Sequence, residues 1–445
     1  MLRVVPVVSN GRVNGGFMDS RKVTNAVLST IACNTLVWYD FILFGSLAGT
    51  IGELFFPQED RYSLLLSSFC VVAVGFCMRP FGASVFGHIG DKYGRKVALI
   101  LSIFGVSVPV GFMAVIPTYE SVGILAPVLL VICRLVQGIS LGGEAGNATF
   151  LIEHSKKSNT GLFGSFEVLS AVLGSVFAFA VKIAVRHFTG DNFGVWGWRI
   201  PFVIGFVVGI ISIYTRAKTG ESPAYEAQAK QEGGDVLTDE SPVRHLFRHY
   251  KRALLLAICI DGIENCSFHI LMVFFISYVR DFSPAVIISP QISEAIEMVS
   301  VMLAGVLTVA FGALSDVLGR KKVIGGAAVT FLLVSMPVFW MLSQGSALYI
   351  GLGYLIFVVP FAAALGPSSA AMSELFPTKV RYTGFGIARN VSSAIGGGIA
   401  PALCTWLVKT TGWRIAPGLC IIFWALVALV ALTRIRKEDV YRDWL

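Results

Sequence analysis

The sequence predicts an all-α integral membrane fold of twelve transmembrane helices arranged as two parallel six-helix repeats, and three observations carry that prediction. Hydrophobic residues make up 55% of the 445 and charged residues only 14%, where a soluble domain carries roughly 25% charged. The apolar residues gather in about twelve stretches of about 20 to 28, each able to cross a hydrocarbon core of roughly 30 Å at 1.5 Å per residue. A polar motif is written twice, as Gly87-His-Ile-Gly-Asp91-Lys-Tyr-Gly94-Arg95-Lys96 and Gly312-Ala-Leu-Ser-Asp316-Val-Leu-Gly319-Arg320-Lys321, 225 positions later. A spanning β-barrel would need strands of about ten residues with alternating polarity, and no such pattern occurs.

The elements follow in order. A tail, 1–22, ends at Arg21-Lys22; the apolar run after it is too long for a cleavable signal, and Met18 is a plausible alternative start. The first six-helix bundle, 23–215, holds spans at 23–50, 63–86, 97–116, 121–150, 161–186 and 196–215. Residues 216–251 are charged, carry Gly233-Gly234 and read as a linker, with an amphipathic piece near Tyr225 to Gln231. The second bundle, 252–433, holds spans at 252–279, 293–311, 323–343, 347–371, 384–408 and 412–433, and 434–445 form a tail. Two further landmarks repeat: Thr160-Gly161 with Thr383-Gly384, and Gly197-Trp198-Arg199-Ile200 with Gly412-Trp413-Arg414-Ile415. Six spans separate each pair, an even number, so both copies face one side, as in parallel-repeat secondary transporters.

Net charge is +8, but about 25 of the 35 Lys and Arg lie in the tails and alternate segments that the positive-inside bias places in the cytoplasm. The basicity reports orientation, with both termini inside, and not a nucleic-acid partner. The eight cysteines (33, 70, 77, 133, 259, 266, 404 and 420) sit in apolar stretches without C-x-x-C or paired histidines, so neither a disulfide framework nor a metal site is indicated.

In the repeated motif, glycines permit a tight turn, and Asp91 with Arg95, like Asp316 with Arg320, is placed to pair with or cap neighbouring helices. The plain alternative is a basic turn that obeys positive-inside. The pattern resembles the signature loop of the major facilitator superfamily. Trp38-Tyr39-Asp40-Phe41, Arg79-Pro80-Phe81-Gly82, Arg134-Leu135-Val136-Gln137-Gly138, Gly142-Gly143-Glu144, Gly197 to Phe202, and Phe376-Pro377 with Arg381-Tyr382 are similar to its metabolite:proton symporter family. That resemblance implies a proton-driven symporter of the bacterial inner membrane, with no cofactor, whose partners are protons, a small organic solute and the bilayer. A monomer is expected.

Charge inside spans leads to the same place, because an ionised group at the bilayer centre costs about 2.5–3.5 kcal/mol on insertion scales and therefore faces a cavity or a partner. Asp40 in the first span and Arg134 in the fourth are expected to pair near the midplane, and withdrawal of Arg134 would let the carboxylate take a proton. The alternative is a static clamp. Glu144 and Glu167 are expected near the cytoplasmic ends of spans four and five, as latch partners of each other or of Arg95, or on the proton path. Asp261 and Glu264 share one face of span seven, and favour a cationic or zwitterionic solute or a second proton site. His269 reads first as a hydrogen-bonded core residue. Gly366-Pro367 and Gly396-Gly397-Gly398 with Pro401 allow either bending or close helix packing.

Candidate substrate contacts are Trp38, Tyr39, Arg134, Gln137, Asp261 and Glu264, with Lys182 and Arg389 as further carboxylate holders and Phe268 as a cavity wall. Candidate gate residues are Gly87, Asp91, Gly94, Arg95, Lys96, Gly312, Asp316, Gly319, Arg320 and Lys321. Val37 and Cys33 stand where the family usually has glutamate and glycine, which shifts weight onto Asp40. With no G-x-x-x-x-G-K-[ST] motif, an ATP-driven pump is disfavoured. An exporting antiporter is the nearer rival, and no nucleophile–base cluster suggests an enzyme.

Overall fold

The computed structural model describes residues 34–35, 37–57, 61–93, 95–145, 148, 151–152, 157–218, 242–282 and 289–441. The expected tail 1–22, Cys33, the Tyr225 to Gln231 piece and Gly94 lie outside them. All regular structure among the described residues is helical. We number the spans α1 (37–46, continuing as Ala48–Phe55), α2 (Arg61–Cys77 with Arg79–Tyr93), α3 (Arg95–Val115), α4 (Leu125–Leu141), α5 (Thr160–Thr189) and α6 (Ile200–Lys218). The second half holds α7 (Lys251–Phe282), α8 (Pro290–Leu318), α9 (Arg320–Leu342), α10 (Ala347–Ser373), α11 (Thr378–Ser392, Ser393–Gly398 and Ala400–Thr411) and α12 (Gly418–Arg434).

Eight of these helices are long and apolar enough to cross a membrane by length and composition, and shorter apolar helices occupy three more positions; α1 completes the twelve. Large apolar side chains such as Phe112, Leu333 and Phe423 are exposed where lipid would cover them. Cys70 and Cys77 are exposed as well and Cys133 and Cys259 half-buried, so only Cys266, Cys404 and Cys420 of the described cysteines are fully core residues.

Three boundaries differ from expectation. Span four breaks at Gly123, where φ is +59°, and passes into a 3-10 turn at Gly142–Ala145, so it is shorter than 121–150. The repeated motif is mostly helix: α2 runs through Tyr93 and α8 through Leu318, and only Gly319, at φ +93°, makes the turn into α9. A left-handed residue suffices to stop one helix and start the next when it carries no Cβ. Within the linker, the described helix is Pro242–His249, pinned by the buried Leu246.

In lipid no hydrophobic force gathers the helices, and small residues let backbones meet. A Cβ on Gly82 would stand 1.9 Å from the Ile139 carbonyl oxygen and one on Gly138 2.0 Å from that of Gly75, so α2 and α4 touch backbone to backbone. Between the halves, α5 crosses α8 at Gly161, whose Cβ would meet the Gly312 oxygen at 2.5 Å. The Gly396–Gly398 run is a π-helical turn that seats α11 against His269 of α7 and Phe76 of α2, so the glycines bend the helix and pack it at once.

Candidate functional site

The face where α6 leaves and α7 begins is called here the linker face. At it the two halves are tied by the second copy of the motif. Asp316 Oδ1 and Oδ2 accept hydrogen bonds from the backbone amides of Gly161 (2.9 Å) and Leu162 (3.0 Å), capping α5 from the other half. A carboxylate at a helix N-terminus satisfies amides that have no partner within the helix and meets the positive end of its dipole. Arg320 binds Asp316 at 2.7 Å and Glu374 at 3.4 Å, and donates to Thr160 Oγ1 at 2.5 Å. Thr160 and Glu374 are members that sequence reasoning missed. Thr160 had a signal in the Thr160-Gly161 landmark, read only as a repeat; Glu374 had none. Lys321 is exposed and takes no part. The side chains of Asp91, Arg95, Lys96 and Glu144 lie outside the described ones, as do any contacts of Gly87 through its neighbours, so the first copy and the Glu144 latch are not compared.

Deeper between the halves lies a cavity of about 40 Å³, room for about three waters at roughly 10–15 Å³ each. Its walls include Trp38 of α1, Arg79 of α2, Glu167 of α5, Glu264 and Phe268 of α7, and Arg389 of α11. Arg389 is the centre. It reaches Glu264 at 2.5 Å and Asp261 at 2.9 Å within its own half, and Glu167 at 3.7 Å across the seam. Ser369 Oγ receives a hydrogen bond from Arg389 (2.8 Å) and donates to Glu167 Oε2 (3.0 Å), closing the network. Arg79 crosses from the first half to Asn390 Oδ1 (3.1 Å) and Ser393 Oγ (3.4 Å) of α11, with its guanidinium over Trp38 and Phe76. One guanidinium, Arg389, thus faces three carboxyl groups from two halves, an excess of negative charge that a proton or a solute cation can balance.

Behind this cavity, inside the first half, Arg134 Nη1 lies 3.6 Å from Asp40 Oδ2. The same oxygen accepts a hydrogen bond from Gln137 (2.8 Å). Arg134 also lies over the Phe44 ring, 3.7 Å from its centroid. All three polar side chains are buried.

Several expected contacts fall elsewhere. Tyr39 is enclosed, donating to the Pro201 carbonyl at 2.8 Å; one residue is a turn of about 100°, so Trp38 faces the other half while Tyr39 faces α6. Arg134 and Gln137 are committed to Asp40 and do not line the cavity, and neither does Lys182, about three turns further along α5 from the linker face, whose Nζ reaches the Ser46 carbonyl at 3.4 Å. Glu167 meets Arg389 and Ser369, because α5 turns that face toward α10 and α11; its expected contacts with Arg95 and Glu144 fall on side chains outside the described ones. Asp261 and Glu264 are partnered by Arg389, so they do not stand open as a bare cation site. His269 is a core residue, its Nδ1 2.8 Å from the Asn265 carbonyl. Arg79, Ser369 and Asn390 were missed as site residues; only Arg79 had a signal, in Arg79-Pro80.

The cavity is shut on the opposite side too. Val273 of α7 fills the space beside Gly45 of α1, Phe69 of α2 packs against Phe274, and Lys409 of α11 donates to Ser63 of α2 at 2.6 Å. Among the described residues the two halves therefore touch on both sides of the cavity.

Two six-helix halves closed around a charged central cavity define a multi-pass membrane transporter of the major facilitator fold. The chain belongs to the sugar (and other) transporter family of that superfamily, whose profile matches residues 26–235 and again 226–435. It is 30% identical over 424 residues to a proline/betaine transporter of Escherichia coli (strain K12), covering 93% of this chain and 83% of that one. An ectoine/proline transporter, ProP, of Corynebacterium glutamicum is 32% identical over 428 residues, with 93% and 84% covered. The inner membrane metabolite transport protein YhjE of Escherichia coli (strain K12) is 32% identical over 417 residues, with 92% and 93% covered. Among solved structures, the proton:xylose symporter XylE bound to a bromodeoxyglucose superposes with a TM-score of 0.68 at 16% identity, covering 93% and 95%. The inward-open xylose transporter XylE from E. coli gives 0.66 at 17%, covering 95% and 97%. These relatives are transporters, and the chain is a transporter and not an enzyme.

Proposed function

We propose that the protein is a proton-coupled symporter of a bacterial inner membrane, with its linker and termini in the cytoplasm, that takes up a small zwitterionic or carboxylate-bearing metabolite by alternating access. The observation that carries this reading is the cavity that sets Arg79 and Arg389 beside Glu167 and Glu264, with Trp38 and Phe268 as aromatic walls. A solute carboxylate would bind the guanidinium side, where planar donors match it. Its ammonium would take the carboxyl side and the aromatic faces. The names of the proline, betaine and ectoine transporters among its relatives support the same solute chemistry.

Proton coupling is assigned to two carboxyl sites. Asp40 rides on α1 with Trp38, so movement of α1 over a bound solute shifts it against Arg134 and Gln137 of α4. Glu167 crosses the seam to Arg389, so separation of the halves strips it of its counter-charge. Either event favours a proton on the carboxyl group. A membrane potential of 100 mV contributes about 2.3 kcal/mol per charge, so one proton supports accumulation on the order of tens-fold before any pH gradient is added.

Counterflow in proteoliposomes against proline, betaine, dicarboxylates, citrate, shikimate and other amino acids tests the solute class. Exchange of a zwitterion or carboxylate is expected. Exchange only of an uncharged sugar, or of a hydrophobic cation driven outward by the pH gradient, would replace this reading with that of a sugar carrier or an exporting antiporter.

A further inference from the structure

Outside the charged network, two thiols of the second half touch. The Cys404 thiol of α11 donates to Cys420 Sγ of α12 at 3.7 Å. They stand 16 positions apart and outside any C-x-x-C spacing, so only the turn from α11 into α12 brings them together. Gly412, at φ +70°, ends α11, and Cys420 is the third residue of α12. The pair therefore lies toward the face opposite the linker. Cys404 is 0% exposed and Cys420 7%. The buried Cys266 of α7 stands within electrostatic range of both, yet no cluster of three or more ligands able to hold a metal ion occurs among the described residues. What the geometry offers is thiol chemistry.

A disulfide needs its sulfurs about 2.0 Å apart, so this pair has less than about 2 Å to close. The bond would hold one particular segment. The helix Ala400–Thr411 follows the π-helical turn Ser393–Gly398 and carries Pro401 in its first turn, an interruption of the kind at which helices bend. Arg389 lies before that turn and Cys404 after it. The outer segment also crosses the seam, since its Lys409 donates to Ser63 of α2. Joining Cys404 to Cys420 removes the freedom of this segment to swing against α12.

We propose that Cys404 and Cys420 are a disulfide-forming pair, oxidised from the face opposite the linker by a small disulfide, and that the bond ties the outer segment of α11 to α12. Cys420, the more exposed, attacks one sulfur of the oxidant RS–SR as the thiolate; the S–S bond of the oxidant breaks, one RS⁻ leaves, and a mixed disulfide forms on Cys420. The Cys404 thiolate then attacks Cys420 Sγ and expels the second RS⁻. The two cysteines give up two electrons to the oxidant, and their two protons end on two RSH. With the linker in the cytoplasm, as proposed above, the pair stands at the extracytoplasmic face, where disulfides form and persist. The site itself does not depend on the transport reading; its effect on transport does.

The test uses the full chain, purified in detergent, reduced with dithiothreitol, freed of it and titrated with oxidised glutathione. Mass spectrometry of the digest should find the peptides of Cys404 and Cys420 joined and two hydrogens lighter, and the oxidised chain should melt several degrees above the reduced one. Cys404→Ala and Cys420→Ala should each abolish both changes, and Cys266→Ala should keep them; the parent, compared in its two redox states, gives the melting result without any substitution. In proteoliposomes, counterflow by the oxidised parent should fall at least about threefold and recover with dithiothreitol. A glutathione adduct on Cys420 that never resolves, a link to Cys266 instead, or the same melting shift in Cys404→Ala would overturn the pair. A clean link with undiminished counterflow would overturn its hold on transport. Absence of counterflow in the reduced parent would count against the transport reading alone, since the link and the melting shift are read without solute.

Discussion

Arg389 of the second half lies 3.7 Å from Glu167 of the first, while it also holds Glu264 at 2.5 Å and Asp261 at 2.9 Å. The contact with Glu167 is the longest of the three and the only one of them that crosses the seam. On the proposed alternating-access reading it is the one that separation of the halves would break first, leaving a carboxyl group beside the cavity.

On the proposed coupling role, replacing that carboxylate should remove the coupling without emptying the cavity. Glu167→Gln is expected to keep the Ser369 hydrogen bond and to retain counterflow, but to lose accumulation against a gradient by about tenfold or more. Parallel measurement of counterflow and of gradient-driven uptake checks this; equal loss in both would make Glu167 a binding residue instead.

Arg389→Lys should not rescue function. A lysine has one ammonium where the guanidinium spreads its donors over three acids and Ser369. Transport is expected to fall roughly 10- to 100-fold, with the loss visible in counterflow itself.

Asp40→Asn keeps an acceptor for Gln137 but no titratable proton. Exchange at equal pH should persist, and uptake driven by an imposed pH gradient should drop toward the level of passive equilibration. Full gradient-driven accumulation by this variant would confine coupling to the Glu167 site.

The helix crossings predict stability directly. Gly82→Ala and Gly138→Ala each place a methyl within about 2 Å of a carbonyl oxygen across the α2–α4 contact, and each should cost about 1–3 kcal/mol. Gly326→Ala, which meets nothing within 4 Å, is the control and should melt within a degree or so of the parent or above it, since alanine is the better helix former. Thermal unfolding in detergent separates the three.

Much of the architecture was legible because lipid imposes it. Apolar runs long enough to span, a polar interval in the middle and a motif written twice define twelve helices in two halves whatever the tertiary detail. Asp40 and Arg134 could be matched because two buried charges at similar depth have few alternatives. The Arg389 network could not be read in the same way. Its members come from α5, α7, α10 and α11, and which helix faces meet depends on rotations about each axis that no single-helix pattern fixes. Trp38 and Tyr39 illustrate the point: adjacent in sequence, one walls the cavity and the other is bound to Pro201 on α6. The repeated motif was legible as a motif, but the groups its second copy binds were not. Asp316 acts on backbone amides of Gly161 and Leu162, groups that every residue carries and no sequence pattern marks.

The central claim is that solute and proton enter together through the Glu167–Arg389 seam. The most direct measurement records internal pH with a trapped dye in proteoliposomes while proline or betaine is added outside, with no imposed gradient and the membrane potential clamped. The account predicts acidification of the lumen on solute addition in the parent and none in Glu167→Gln. Solute entry by the parent with no change in internal pH would contradict it.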